Sequence, residues 1–167
     1  MTFHISEIQV GGGMLGICPI PGRFGTYHAD MTVVRDWSAQ LVLSLTEGKE
    51  FSTAGAQGFQ ADLAAAGILW KHIPIEDFAT PSAQALRDWS DISHQVVTVL
   101  QAGGHVLVHC FGGCGRSGMI ALRMMVALGE DPQTAFRRLR AARPCAVETV
   151  AQLSWATEGV LSDFDAC

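Results

Sequence analysis

Three consecutive segments constrain this chain more than anything else in it. Gly104-His105-Val106-Leu107-Val108 is a short β-rich apolar run, His109 to Gly118 is a glycine-rich loop, and Met119 to Leu128 is an apolar run of helical length. The loop is therefore a turn from a buried strand into a helix. Five residues, Phe111 to Gly115, separate Cys110 from Arg116, and glycines stand at 112, 113 and 115. A loop of this length can curl so that successive backbone N–H groups point at one anion, with the positive end of the following helix added to them. The glycines let the backbone approach without a Cβ in the way. Cys110 then sits at the floor of an anion cradle, in a field that favours the thiolate. Arg116 closes the ring as a planar fork able to hold two oxygens of a phosphate, which a lysine cannot do.

The stretch His109-Cys110-x5-Arg116-Ser117 resembles the phosphate-binding signature of the cysteine-dependent tyrosine and dual-specificity phosphatases, and the pattern His-Cys-x-Gly-Gly-x-Gly-Arg-Ser is similar to that of the kinase-associated type. The resemblance runs roughly from Met14 to Ala156, with its specific motifs in two loops. It implies a three-layer α/β/α fold with a central, mainly parallel sheet of about four to five strands. It also implies hydrolysis of phosphate monoesters through a cysteinyl-phosphate on Cys110, with phosphate held by Arg116 and the backbone of Phe111, Gly112, Gly113, Cys114 and Gly115. Ser117 would hydrogen-bond the Cys110 sulfur and improve it as a leaving group, and His109 would hold the loop and support the thiolate.

Two other readings of the same letters stand beside this one. A loop of this kind that has lost turnover would be a phosphate-binding module. Gly113-x-Gly115-x-x-Gly118 also fits a dinucleotide fingerprint, an oxidoreductase feature. That fingerprint needs an acidic residue roughly 20 positions on, at the end of a second strand. Glu130 and Asp131 are near that offset, but they precede Pro132, where another helix begins.

Composition sets the frame. With 167 residues, 49% hydrophobic and 16% charged, the chain reads as a single catalytic domain over 1–167 with a full core. A net charge of −5 argues against nucleic acid or an anionic membrane as partner. Five cysteines without regular spacing, and no basic-then-apolar leader, predict reduced thiols and a cytoplasmic protein. No zinc spacing appears among the histidines and cysteines, so no metal or other cofactor is expected. Oligomeric state is not legible.

Along the chain, strands are predicted on both sides of Gly11-Gly12-Gly13, at 41–45 and at 68–73. Helices are predicted from Asp30 as N-cap, over 56–66, over 82–102 with Trp89 in the core, and from Asp131-Pro132. A last helix is expected with Val150, Leu153, Val160 and Phe164 on one side. Cys18 reads as a small buried hydrophobe, Arg23 as a surface residue, and Arg137, Arg138 and Arg140 as a solvated face. The alternation of strand and helix predicts a mainly parallel sheet, with ligands beyond the carboxyl ends of its strands.

Pro74-Ile75-Glu76-Asp77-Phe78-Ala79-Thr80-Pro81 places two carboxylates on a loop at one such end, before a helix with Thr80 as its cap. Cleaving a phosphate ester needs a proton for the departing oxygen, and a carboxylic acid on a loop opposite the nucleophile supplies it. The segment resembles the general-acid loop of the same phosphatases, and on that match Asp77 is the acid, with Glu76 its neighbour. Arg143-x-x-x-Val147-Glu148-Thr149-x-x-Gln152 resembles the segment in which strictly tyrosine-specific members place a glutamine that positions the hydrolytic water. Gln152 would be its counterpart. Cys114, four residues from the nucleophile, is a candidate redox partner for Cys110. The expected substrate is a phosphorylated protein or a small phosphate monoester.

Overall fold

A computed structural model describes residues 2–158. Its strands are β1 (Ser6–Val10), β2 (Gly13–Pro19), β3 (Leu41–Ser44), β4 (Leu69–His72) and β5 (His105–Cys110), arranged in one sheet in the order β1-β2-β5-β3-β4. β1 runs antiparallel to β2, and β2, β5, β3 and β4 are mutually parallel. The β1–β2 hairpin turns at Gly11 and Gly12, whose φ values of +62° and +99° suit the tight turns that match strand twist.

The helices are α1 (Tyr27–Asp36), α2 (Gly48–Thr53), α3 (Phe59–Ala65), α4 (Ala83–Gln101), α5 (Gly115–Ala127), α6 (Pro132–Ala142) and α7 (Val150–Thr157). The alternation of side chains along β5 divides the core into two layers. Val106, Val108 and Cys110 join the cluster that holds Trp89, Val96 and Leu100 of α4 together with Met119, Leu122 and Met125 of α5. Leu107 faces the opposite layer, with Met31 and Val34 of α1 and Phe59 and Leu63 of α3. The predicted three-layer architecture with a mainly parallel sheet is thus the one observed.

Register places the site. Pro19 pairs with Cys110, His109 with Ser44, and Ser44 with His72, so the carboxyl ends of all four parallel strands finish at one level. The loops that follow them converge there.

Several local expectations are corrected. α1 begins after Thr26, and Asp30 lies inside the helix, buried, accepting from the Gly22 N–H at 2.8 Å and the Thr26 hydroxyl at 2.8 Å. After β3 the chain forms α2, a helix not among those predicted, whose Glu47 and Glu50 make a reciprocal capping box, and the helix predicted over 56–66 is the shorter α3. α4 is capped by Ser82, which accepts from the Ala85 N–H at 3.2 Å, in place of Thr80. Asp131 caps α6 as predicted, accepting from the Thr134 N–H at 2.9 Å, with Pro132 in the first turn. On α7, Val150 is 82% exposed, because the helix presents Gln152 and Ala156 to the core. Val160 and Phe164 lie outside the described residues. Arg138 and Arg140 are more than a solvated face: Arg138 donates to the Gln9 carbonyl at 2.8 Å, and Arg140 to the Val147 carbonyl at 2.7 Å. No helix among the described residues is long and apolar enough to cross a membrane.

Candidate active site

The loop between β5 and α5 closes around Cys110. Its sulfur is buried, accepts from the Gly113 N–H at 3.2 Å, and lies 3.3 Å from the Ser117 hydroxyl. Gly113 is required twice over. Its φ is +68°, and a Cβ there would stand 2.5 Å from the Cys18 carbonyl carbon and the Pro19 nitrogen, which are backbone and cannot yield. Ser117 and Arg116 are in the first turn of α5, where the helix presents its unpaired N–H groups.

Arg116 is 1% exposed. Its Nη1 donates to Glu50 Oε2 at 2.8 Å and to the Ile75 carbonyl at 3.1 Å; its Nη2 donates to Glu50 Oε1 at 2.9 Å. Asp77 Oδ1 lies 3.2 Å from the same Nη2. The buried Nε has no hydrogen-bond partner among the described residues. Partial burial works to raise the Glu50 carboxyl, but hydrogen bonds from Arg116 and from the Glu47 N–H outweigh it and hold the group below the ordinary carboxylate range. The partner effect mirrors this: burial works to lower Arg116, and Glu50, with Cys110 and Asp77 nearby, holds it above its ordinary value.

His109, fully buried, points into the layer opposite Cys110. Trp70 Nε1 donates to Ser44 Oγ at 2.7 Å, and that hydroxyl lies 2.6 Å from His109 Nε2. The indole can only donate, so Ser44 Oγ accepts from it and keeps its own proton and a second lone pair for the contact with Nε2. Burial pushes the imidazole down to about 3, so the ring is neutral at ordinary pH.

Asp77 is exposed on the loop after β4, beside Phe78, whose φ of +61° is unusual for a bulky residue. Gln152 ties that loop to α7. Its Nε2 donates to the Ala79 carbonyl at 3.3 Å, while its Oε1 accepts from the N–H of Glu148 at 2.9 Å and of Thr149 at 3.3 Å. Both ends of its amide are therefore engaged in capping α7 and steadying the loop that carries Asp77.

Cys114 does not pair with Cys110. It is bridged to Cys145, 31 residues away, with the Cα atoms 5.1 Å apart. The turn at Gly112-Gly113 sends the Cys110 sulfur inward and Cys114 outward, against the segment that follows α6. Reduced thiols throughout are likewise not what forms: among the described residues Cys110 and Cys18 are free, and Cys18 is the buried small side chain predicted, its thiol pushed up chiefly by burial.

The structure thus brings together Cys110, Ser117, Arg116 and Asp77, with His109 behind the strand. Glu50 and Ser44 carry no motif and were not legible; a glutamate three residues after Glu47 reads simply as a cap. The dinucleotide reading lacks its second strand, since α5 leads directly to the Asp131 cap of α6.

Comparison with known proteins agrees with this geometry. Residues 19–130 match a family model described as polymorphic toxin system, DSP-PTPase phosphatase. Human cyclin-dependent kinase inhibitor 3 is 26% identical over 167 residues, covering 93% of this chain and 77% of that protein. The rat protein of the same name is 34% identical over 95 residues, 55% of this chain and 43% of its own length. Kinase associated phosphatase, in a form with its catalytic-site cysteine replaced by serine, superposes with a TM-score of 0.80 at 24% identity, over 95% of this chain and 94% of that one. Tk-PTP in its active form gives 0.71 at 27% identity, over 92% and 95%. With more than half of its length inside that family model, the chain belongs to the DSP-PTPase phosphatases and is a cysteine-dependent protein phosphatase.

Proposed function

We propose that the chain is one catalytic domain that hydrolyses phosphorylated proteins, on tyrosine, on serine or threonine, or on both, in two steps at Cys110. The thiolate attacks phosphorus in line while Asp77 protonates the leaving oxygen, and the bond to the substrate oxygen breaks as the sulfur–phosphorus bond forms. Water then attacks the cysteinyl-phosphate, giving its proton to Asp77 and releasing phosphate and the thiolate, which Ser117 stabilises by hydrogen bonding. His109 holds the loop as a neutral ring.

One observation carries this reading. Arg116 is buried, fixed through both Nη atoms by Glu50, and keeps a buried Nε unpaired beside the loop that surrounds Cys110. An unpaired buried guanidinium N–H is costly unless a ligand meets it, and an equatorial phosphate oxygen has the charge and geometry to do so. Such preorganised donors are typically worth several kcal/mol when charge redistributes in the transition state.

The test is hydrolysis of para-nitrophenyl phosphate and of phosphopeptides by the wild type and by Cys110→Ser, with EDTA present. Turnover that disappears in Cys110→Ser is expected. Turnover that survives the substitution names another nucleophile, and phosphate binding without any turnover favours the binding-module reading. A cytoplasmic location is consistent with the composition; the Cys114–Cys145 bridge would then be of the transient, redox-sensing kind, since permanent disulfides are rare in reducing compartments.

A further inference from the structure

The outer side of the catalytic loop is held by a short segment that the proposed reaction does not use. Residues 143–147, between α6 and α7, meet the loop in three ways. Arg143 donates through Nε to the Gly113 carbonyl at 2.8 Å and through Nη2 to the Gly112 carbonyl at 3.1 Å. Cys145 is bonded to Cys114, and the Val147 N–H donates to the Cys114 carbonyl at 3.3 Å. Each carbonyl shares a rigid peptide unit with the N–H of the next residue. Anchoring the carbonyls of 112, 113 and 114 outward therefore fixes the orientation of the N–H groups of 113, 114 and 115.

The segment is strained where it does this. Val147 has φ +63°, a left-handed conformation that a β-branched residue adopts only when its surroundings over-determine it. Its N–H bond to Cys114 and its carbonyl bond from Arg140 supply part of that determination, and the bridge two residues earlier supplies the covalent part. Cys145 is exposed, and a cavity of about 400 Å³ lined by Arg23, Gly112, Cys114 and Arg143 opens beside it, so a small dithiol can reach the bridge.

We propose that residues 143–147 are a redox-released clamp, with Arg143 as a positioning residue: the loop binds phosphate tightly with the Cys114–Cys145 bridge closed and Cys110 free, and weakly once a dithiol opens the bridge. The inference rests on the reading that this loop binds phosphate. In the opening step a thiolate of the dithiol attacks the Cys145 sulfur, and Cys114 leaves as a thiolate. The second thiolate of the reductant then attacks the reductant sulfur of the mixed disulfide and displaces the Cys145 thiolate. Two electrons pass from the dithiol, which becomes a disulfide, to the two cysteines, and each thiolate takes a proton as the pH requires. Without the bridge, Val147 relaxes to ordinary backbone and Arg143 loses its hold on the loop carbonyls. Reductant therefore has two opposed effects on this enzyme, preserving Cys110 while loosening the loop around it.

The test separates those effects by working in Cys110→Ser protein, where neither turnover nor oxidation of the nucleophile intervenes. Inorganic phosphate is titrated calorimetrically before and after dithiothreitol, with the bridge followed by mass and thiol count. The dissociation constant is expected to rise about tenfold on reduction, the scale of one net hydrogen bond to a charged ligand. Cys145→Ser in the same background is expected to bind at the weaker value with or without dithiothreitol. In bridged protein, Arg143→Ala should weaken binding by a similar factor and Arg143→Lys should recover part of it. Equal affinity in the two redox states overturns the clamp while leaving the phosphate loop intact. Absence of phosphate binding in both states overturns the loop reading itself, and the clamp with it.

Discussion

Glu50 and Arg116, 66 residues apart in the chain, meet as a two-pronged ion pair with N–O distances of 2.8 and 2.9 Å. The glutamate lies in the first turn of α2 and the arginine in the first turn of α5, so the pair ties together the loops that follow β3 and β5. It aims the guanidinium by engaging both Nη atoms, which leaves Nε, the N–H proposed above to meet phosphate, unpaired.

Glu50→Gln removes the charge while keeping the shape. Arg116 is then a buried cation without its main counter-charge, a change that costs 3–5 kcal/mol in fully buried pairs and about 2 kcal/mol here, because Glu50 retains contact with solvent. We expect a lower melting temperature together with a fall in kcat/KM of about tenfold or more. A variant that melts early but keeps full activity would show that Arg116 is aimed by its other contacts.

Asp77→Asn tests the acid. A lost general acid typically costs 10²–10⁴ in rate, so turnover of phosphoserine peptides should fall by about that much. The loss on para-nitrophenyl phosphate should be far smaller, because nitrophenolate departs without a proton. An equal loss on both substrates would move the acid role to Glu76 or make Asp77 a binding group.

Gly113→Ala introduces a Cβ against the backbone of Cys18 and Pro19 at a φ of +68°. Phosphate binding should be lost even if the protein still folds, because the N–H of 113 belongs to the proposed phosphate cradle. Normal phosphate affinity, read by calorimetry, would mean that this amide does not serve the ligand.

His109 governs an acid limb of stability. Its folded value is about 3 and its unfolded value is near 6.5, so between those limits the unfolded chain holds a proton that the folded chain does not. Stability from this group is present in full above pH about 6.5 and is lost as pH falls toward 3, with a slope of at most about 1.4 kcal/mol per pH unit. The depressed Glu50 carboxyl adds loss in the same direction at lower pH. Urea titrations from pH 7 to 4 should follow this limb in the wild type and flatten in His109→Gln. An unchanged slope in His109→Gln would assign the acid loss to other groups.

What the amino-acid sequence determined by itself was local. Gly112, Gly113 and Gly115 around Cys110 specify a tight strand-to-helix loop, because glycine spacing and chain stiffness act over a few bonds. The α4 stripe through Trp89 and the Asp131-Pro132 start of α6 were legible for the same reason, since periodicity and capping depend on neighbours three and four positions away. The boundaries were less secure: α1 starts after Thr26, whose side chain makes no capping hydrogen bond, with Asp30 inside the helix, and Ser82 caps α4 where Thr80 was expected.

Tertiary structure alone decided the rest. Glu50 reached Arg116, Ser44 reached His109, and Cys145 took Cys114 away from Cys110, each across more than 30 residues of chain. Such pairings depend on strand order and register, here β5 inserted between β2 and β3, which brings the strand ends and their loops to one level. No local propensity encodes that arrangement. It is selected by burial of both faces of the sheet, and the pairs around the catalytic loop follow from where that burial leaves the strand ends.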